Sequence, residues 1–201
     1  MKVLRIASKI CYTVCMKYIL ASASPRRREL LNQIGLEFDV QVSNVEEHIC
    51  PSWSPTQAVC ELAQQKAHAV ATQFPERCVI AADTIVVVDA QILEKPQDTQ
   101  NAKRMLRLLS GREHRVITGV CLTFGAKQRV FSQETGVRFY PLSEEKIACY
   151  VATGEPMDKA GAYGIQGKGA LLVESIAGDY FNVVGLPVAK LIRELEEFMY
   201  A

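Results

Sequence analysis

Histidine is scarce in this chain. His48, His68 and His114 are all there is, and no two stand at a spacing that would hold a metal on one helix face or loop. Structural or solvent roles are expected for all three. The seven cysteines include no C-x-x-C pair, which argues against zinc-ribbon and thioredoxin-type chemistry. Their odd number, with several in apolar runs, reads as reduced thiols in a cytoplasmic protein. No stretch approaches the ~20 apolar residues of a membrane helix, so no membrane partner is expected. The formal net charge is only +1, which argues against non-specific binding of nucleic acid. Neither the P-loop nor the Rossmann glycine pattern occurs. Any recognition of anions must come from a few placed cations.

The chain has 201 residues, enough for one α/β unit with a sizeable core. Residues 1–15 carry Lys2, Arg5 and Lys9 ahead of a short apolar run, a weak likeness to a signal peptide. Ser8 and Lys9 interrupt it, and no small-residue cleavage site follows. We expect residues 1–15 to be an N-terminal extension or a start placed too early, and 16–201 to be the functional domain.

Within that domain the pattern alternates. Tyr18–Ala21 reads as a strand, and Ser24-Pro25 as a cap and first helical residue. Glu37–Val42 alternates like a strand. Ser54-Pro55-Thr56-Gln57 is a capping-box start for a helix to about Gln73. Cys78–Val88 is a β-branched run. Asp98 opens another helix, and two long strands follow over Arg115–Phe124 and Arg129–Tyr140. Ser143 caps a further helix, and Gly154–Gly169 reads as a loop. A strand over Leu171–Ala177 and a helix from Pro187 close the chain. The class is α/β (mixed α+β) with a mixed sheet.

Three places are chemically conspicuous. Arg26, Arg27 and Arg28 crowd the first turn of a helix, where the dipole disfavours cations. A phosphate bound at the helix N-terminus would resolve that conflict; a solvated basic turn is the plain alternative. Asp83 interrupts an apolar strand, where a carboxylate needs a cation, a metal or a turn to expose it. Lys66 falls on the apolar stripe of its helix, in line with Leu62 and Val70. It either meets an anion or snorkels to solvent. The Glu46-Glu47 pair could share a metal or lie at the surface.

Taken together, these motifs resemble a known family. Ala21-Ser22-Ala23-Ser24-Pro25-Arg26-Arg27 resembles the N-terminal signature of Maf-like nucleotide pyrophosphatases. Ala82-Asp83-Thr84-Ile85-Val86 and Leu93-Glu94-Lys95-Pro96 resemble its second block. Leu109-Ser110-Gly111 with His114-Arg115-Val116-Ile117-Thr118 is similar to its third. The stretch from Glu155 through Asp158-Lys159-Ala160-Gly161-Ala162-Tyr163-Gly164-Ile165-Gln166-Gly167 is the most specific, and Val184-Gly185-Leu186-Pro187 ends the pattern. The likeness runs from about Met16 to the C-terminus.

The resemblance implies an elongated mixed sheet with flanking helices in two lobes, the fold of inosine-triphosphate pyrophosphatases. It implies hydrolysis of a nucleoside triphosphate to the monophosphate and pyrophosphate with a divalent metal, Mg²⁺ or Mn²⁺. The Asp158–Gln166 version resembles the branch that acts on dTTP and UTP. Carried over by position, Asp83 is the expected proton acceptor, and Arg26, Thr84 and Gln166 the expected specificity residues. Ser24, Arg27, Lys66 and Lys95 are expected at the phosphates, and Glu47 with Asp83 at the metal. The Gly-rich stretch around Gln166 is expected to hold its amide in one orientation. The implied partner is the triphosphate, in the cytoplasm, with no nucleic acid or membrane; a homodimer is left open. Two rival readings are a non-catalytic nucleotide-binding regulator of septum formation and a pyrophosphatase for purine or modified nucleotides.

Overall fold

The computed structural model describes residues 18–200; the expectation for residues 1–15 lies outside them. Strand β1 (Tyr18–Leu20) leads into helix α1 (Pro25–Gln33), which starts where the sequence predicts. The Ser24 hydroxyl accepts from the Arg27 amide, and Pro25, which has no amide hydrogen to lose, fills the first turn. β2 (Phe38–Val40) is followed by a long irregular segment and then α2 (Pro55–Ala71). The α2 start is a complete capping box, with Ser54 and Gln57 each satisfying the other's backbone amide. The remaining elements are β3 (Val79–Val88), β4 (Gln91–Leu93), α3 (Thr99–Leu109), β5 (Glu113–Phe124), β6 (Lys127–Phe139) and α4 (Glu144–Ala152), then β7 (Val173–Ala177), α5 (Tyr180–Val184) and α6 (Val188–Tyr200).

One mixed sheet of seven strands runs in the order β2-β1-β3-β5-β6-β7, with β4 paired to β3. β1 is parallel to β2 and β3; the other pairs are antiparallel. Alternation along β3 divides the core. Ala81, Ile85 and Val87 face α2, where Val59, Ala63 and Ala67 are fully buried. Ile80 and Ala82 face α1 and α6, against Leu30, Leu31 and Leu191. Val86 and Val88 pack with Leu106 of α3 and Ile147 of α4. Each fully buried Leu or Ile contributes about 1.5–3 kcal/mol of transfer free energy, so the helices are fixed to the sheet by many such residues.

One feature of the sheet prepares the site. Along one side β3 is laddered to β5 from Val79 to Val87. On the other side β1 covers only Val79 and Ile80, and β4 only Val86–Val88. The segment between them, which carries Asp83, has no strand on that side.

Two differences from the sequence reading stand out. The glycine-rich region is not a plain loop but three 3₁₀ segments, Glu155–Asp158, Ala160–Ala162 and Gly167–Leu172. Such turns leave no apolar period to read. The short β4 and α5 went unpredicted for the same reason of length. Among the described residues Cys50, Cys60, Cys78, Cys121 and Cys149 are unbridged. No helix among these residues is long and apolar enough to cross a membrane.

Candidate active site

A cleft of about 640 Å³ opens beside the uncovered stretch of β3. All nine site residues expected from the sequence line it, contributed by α1, α2, β3 and four connecting segments. The fold thus converges on one place residues as distant in sequence as Ser24 and Gln166.

At the floor, Lys66 of α2 donates to Asp83 Oδ1 at 2.5 Å and lies 3.0 Å from Glu47 Oε1. Lys66 therefore does not snorkel to solvent. Its side chain and that of Asp83 are each only 16% exposed, and an ion pair so withdrawn from water is costly to break from one side. Glu47 reaches the pair from the irregular segment after β2. That segment is clipped to α2 by Gln65, whose amide accepts from the His48 N–H at 3.0 Å and donates to the His48 carbonyl at 2.9 Å. Nothing in the sequence singled out Gln65; a lone glutamine beside Lys66 carries no signal of its own.

At the mouth, Arg26 donates to Asp158 Oδ2 at 2.8 Å, joining α1 to the first 3₁₀ segment. Lys159 donates to the other oxygen of Asp158 at 2.6 Å. Partial burial works to raise the Asp158 pKa, but the hydrogen bonds from Lys159 and Arg26 outweigh it and hold the carboxyl below its ordinary value. The sequence motif contained Asp158 but gave no hint that it would engage Arg26.

Arg27 departs from expectation. Its guanidinium is buried, and it donates to four protein acceptors: the Gly185 carbonyl at 2.8 Å, Ser22 Oγ at 3.1 Å, the Ala82 carbonyl at 2.8 Å and Thr84 Oγ1 at 2.9 Å. Burial lowers its pKa, opposed by the nearby charge of Asp83. The side chain expected at the phosphates is turned into the protein. Ser24 serves as the α1 cap and lines the cleft. Thr84 Oγ1 also meets Thr118 Oγ1 at 2.9 Å and the Gly185 carbonyl at 3.5 Å. Both acceptors for its own hydrogen therefore lie inside the protein.

Lys95 is exposed at the cleft wall. Gln166 is exposed too, and among the described residues its amide has no hydrogen-bond partner. The expectation that the glycine-rich stretch fixes this amide is not met. The glycines serve backbone packing instead: a Cβ at Gly169 would fall 2.1 Å from the Gly164 carbonyl oxygen. Beneath this stretch His114 Nε2 and the Tyr163 hydroxyl are 2.7 Å apart, edge-on to Phe139. Burial pushes the His114 pKa down to about 4, so the ring is neutral and structural at physiological pH. Among the described residues no three or more His, Cys, Asp or Glu side chains cluster as a metal site. Glu47 and Asp83 stand as a pair.

The same architecture occurs in known proteins. The Staphylococcus aureus Ham1 protein superposes with a TM-score of 0.53 at 14% identity, covering 92% of this chain and 98% of that one. A HAM1 protein from Coxiella burnetii does so with a TM-score of 0.51 at 14% identity, covering 90% and 99%. The fold is therefore that of the Ham1 proteins. In sequence, residues 17–198 match the model of the Maf-like protein family, and the chain belongs to that family. It is 55% identical over 182 residues to a dTTP/UTP pyrophosphatase of Symbiobacterium thermophilum, covering 90% of this chain and 94% of that protein. A dTTP/UTP pyrophosphatase of Bacillus cytotoxicus is also 55% identical over 182 residues, covering 90% and 95%.

Proposed function

We propose that this protein hydrolyses nucleoside triphosphates, dTTP and UTP foremost, to the monophosphate and pyrophosphate in the cytoplasm. The observation that carries the reading is the ion-paired floor of the cleft, with Lys66 between Asp83 and Glu47. Relatives at 55% identity that bear that activity in their names support it. A non-catalytic binder of nucleotide has no need of a carboxylate held at the centre of a basic cleft.

In the proposed reaction a water oxygen bonds to the α-phosphorus, and the bond from that phosphorus to the α,β-bridging oxygen breaks. The electron pair leaves with pyrophosphate. Lys66 engages only Oδ1 of Asp83, so Oδ2 is left to take the water's proton. The Arg26 amide, left free at the start of α1 because Pro25 has none and those of Arg27 and Arg28 are engaged by Ser24, binds the phosphate oxygens together with Ser24, the Arg26 side chain and Lys95. Thr84 and Gln166 contact the nucleoside. Arg27, with its donors engaged inside the protein, is left out of the phosphate set.

Glu47 and Asp83 fit a divalent cation. Two carboxylates already converge on one positive charge, and one or two carboxylates plus phosphate oxygens and waters make the usual Mg²⁺ environment. Bound there, Mg²⁺ or Mn²⁺ would neutralise phosphate charge and acidify water. Pyrophosphate release from dTTP, UTP, CTP, GTP, ITP and methylated GTP, with and without each metal, tests the reading. Metal-stimulated release greatest from dTTP and UTP is the expected result; release from none of them would overturn it.

A further inference from the structure

We infer that Arg27 is a positioning residue that holds the aim of Asp83, and not a ligand for phosphate. The inference rests on the reading of Asp83 as proton acceptor.

The argument begins with the sheet. Ile19 and Ala21 donate their amides to the carbonyls of Cys78 and Ile80. Backbone groups along a strand alternate in direction, so the Ala82 carbonyl points to that same side. There β1 has ended and β4 has not begun. A carbonyl in a closed interior needs a donor, and Arg27 Nη1 supplies it at 2.8 Å. The guanidinium thus stands where a neighbouring strand would otherwise be.

The same cation reaches the residue on the other side of Asp83, through Nη2 to Thr84 Oγ1 at 2.9 Å. Both neighbours of Asp83 are therefore held by one side chain. Nη1 also holds Ser22, in the connection from β1 to α1, and Nε holds Gly185, in the turn before α6. By strand alternation the Asp83 side chain projects away from those of Ala82 and Thr84, toward Lys66 on α2. Arg27 does not touch the carboxylate; it fixes the backbone that carries it. Two further facts oppose a phosphate role. The residue is 9% exposed. A guanidinium has five N–H groups, and four contacts to protein already occupy Nε and both terminal nitrogens.

The test compares Arg27→Lys, Asp83→Asn and the double variant in kcat and KM for dTTP. It adds the Kd of a non-hydrolysable α,β-methylene analogue and a melting curve for each protein. A lysine keeps the charge but cannot span four acceptors in three directions. The expected result for Arg27→Lys is a kcat about 10²-fold lower with KM and analogue Kd within about 3-fold of wild type. In the Asp83→Asn background Arg27→Lys should cost little more, because residues that act as a unit are not additive. A merely structural loss would carry through both backgrounds alike. A Kd and KM that rise together by tenfold or more at retained kcat would make Arg27 a phosphate ligand and overturn the inference. If Arg27→Lys does not fold, Ser22→Ala removes one anchor. A kcat lowered about 3–10-fold at unchanged Kd then supports the inference, and an unchanged kcat or a weakened Kd overturns it. Wild-type turnover in Asp83→Asn is a separate failure, that of the proton-acceptor reading itself.

Discussion

Gly119 on β5 is the register partner of Asp83 on β3, and the α2 backbone at Val59 and Cys60 packs directly on it. A Cβ at Gly119 would lie 2.4 Å from the Val59 carbonyl oxygen, closer than any side chain can sit. Val59 and Lys66 are seven residues apart on α2, two turns along one face. The missing side chain on β5 therefore sets the height at which Lys66 meets Asp83.

Gly119→Ala should lift α2 from the sheet. Overpacking against a backbone carbonyl costs about 1–3 kcal/mol, or a fall in Tm of about 2–12 °C for a domain of this size. Turnover should fall as well, since Lys66 moves with the helix. Differential scanning calorimetry with a pyrophosphate assay checks both; an unshifted Tm would show that the helix can slide aside freely.

Asp83→Asn preserves shape and removes the base. We expect kcat to drop about 10²–10⁴-fold while the circular dichroism spectrum stays that of the wild type. A folded variant with near-normal turnover would remove Asp83 from the reaction.

His114 gives a pH signature. Its imidazole falls from an ordinary 6.5 to about 4 through burial. Between those values the unfolded chain holds a proton that the folded chain does not, so stability declines as pH drops through that window. The full effect is at most about 3 kcal/mol. Urea melts at pH 7, 6 and 5 should show His114→Gln with a slope shallower than wild type by about one proton. Parallel slopes would mean that the folded protein charges His114 after all.

Gln166 faces the cleft with its amide unengaged, so an incoming base is free to orient it. Thymine and uracil offer an acceptor oxygen beside a donor N–H, which one amide matches with its donor and acceptor. Gln166→Glu loses the donor. We expect kcat/KM for dTTP and UTP to fall toward that for CTP, with less damage to turnover than in Asp83→Asn. An unchanged ranking of dTTP, UTP, CTP and GTP would take Gln166 out of the base pocket.

Much of this was legible in the sequence because the signals were local. Ser24, Ser54 and Ser143 announce helix starts through caps the structure forms. Asp83 stood out in an apolar strand, and Lys66 on an apolar stripe, because a buried charge needs a partner. The fate of the arginines was not legible. Arg26 and Arg27 are neighbours on α1, yet one turns to Asp158 and the other inward to Ala82 and Gly185. Acceptors 55 to 158 residues away decide which is which. The 3₁₀ segments escaped because their turns repeat too briefly to leave a pattern.

Two cations of this cleft are already matched, while Lys95 has no ion-pair partner among the described residues. Lys66 is held by Asp83 and Glu47, and Arg26 by Asp158. A small anion that draws one of them away must undo an attraction about as strong as the one it makes, so inorganic phosphate and nucleoside monophosphates gain little. A triphosphate recruits several cations in a single event, and its gain grows with each charge. Such a cleft would discriminate by valence, gaining less from weakly charged solutes and from its own monophosphate product than from a species that carries enough charge to engage Arg26 and Lys95 together.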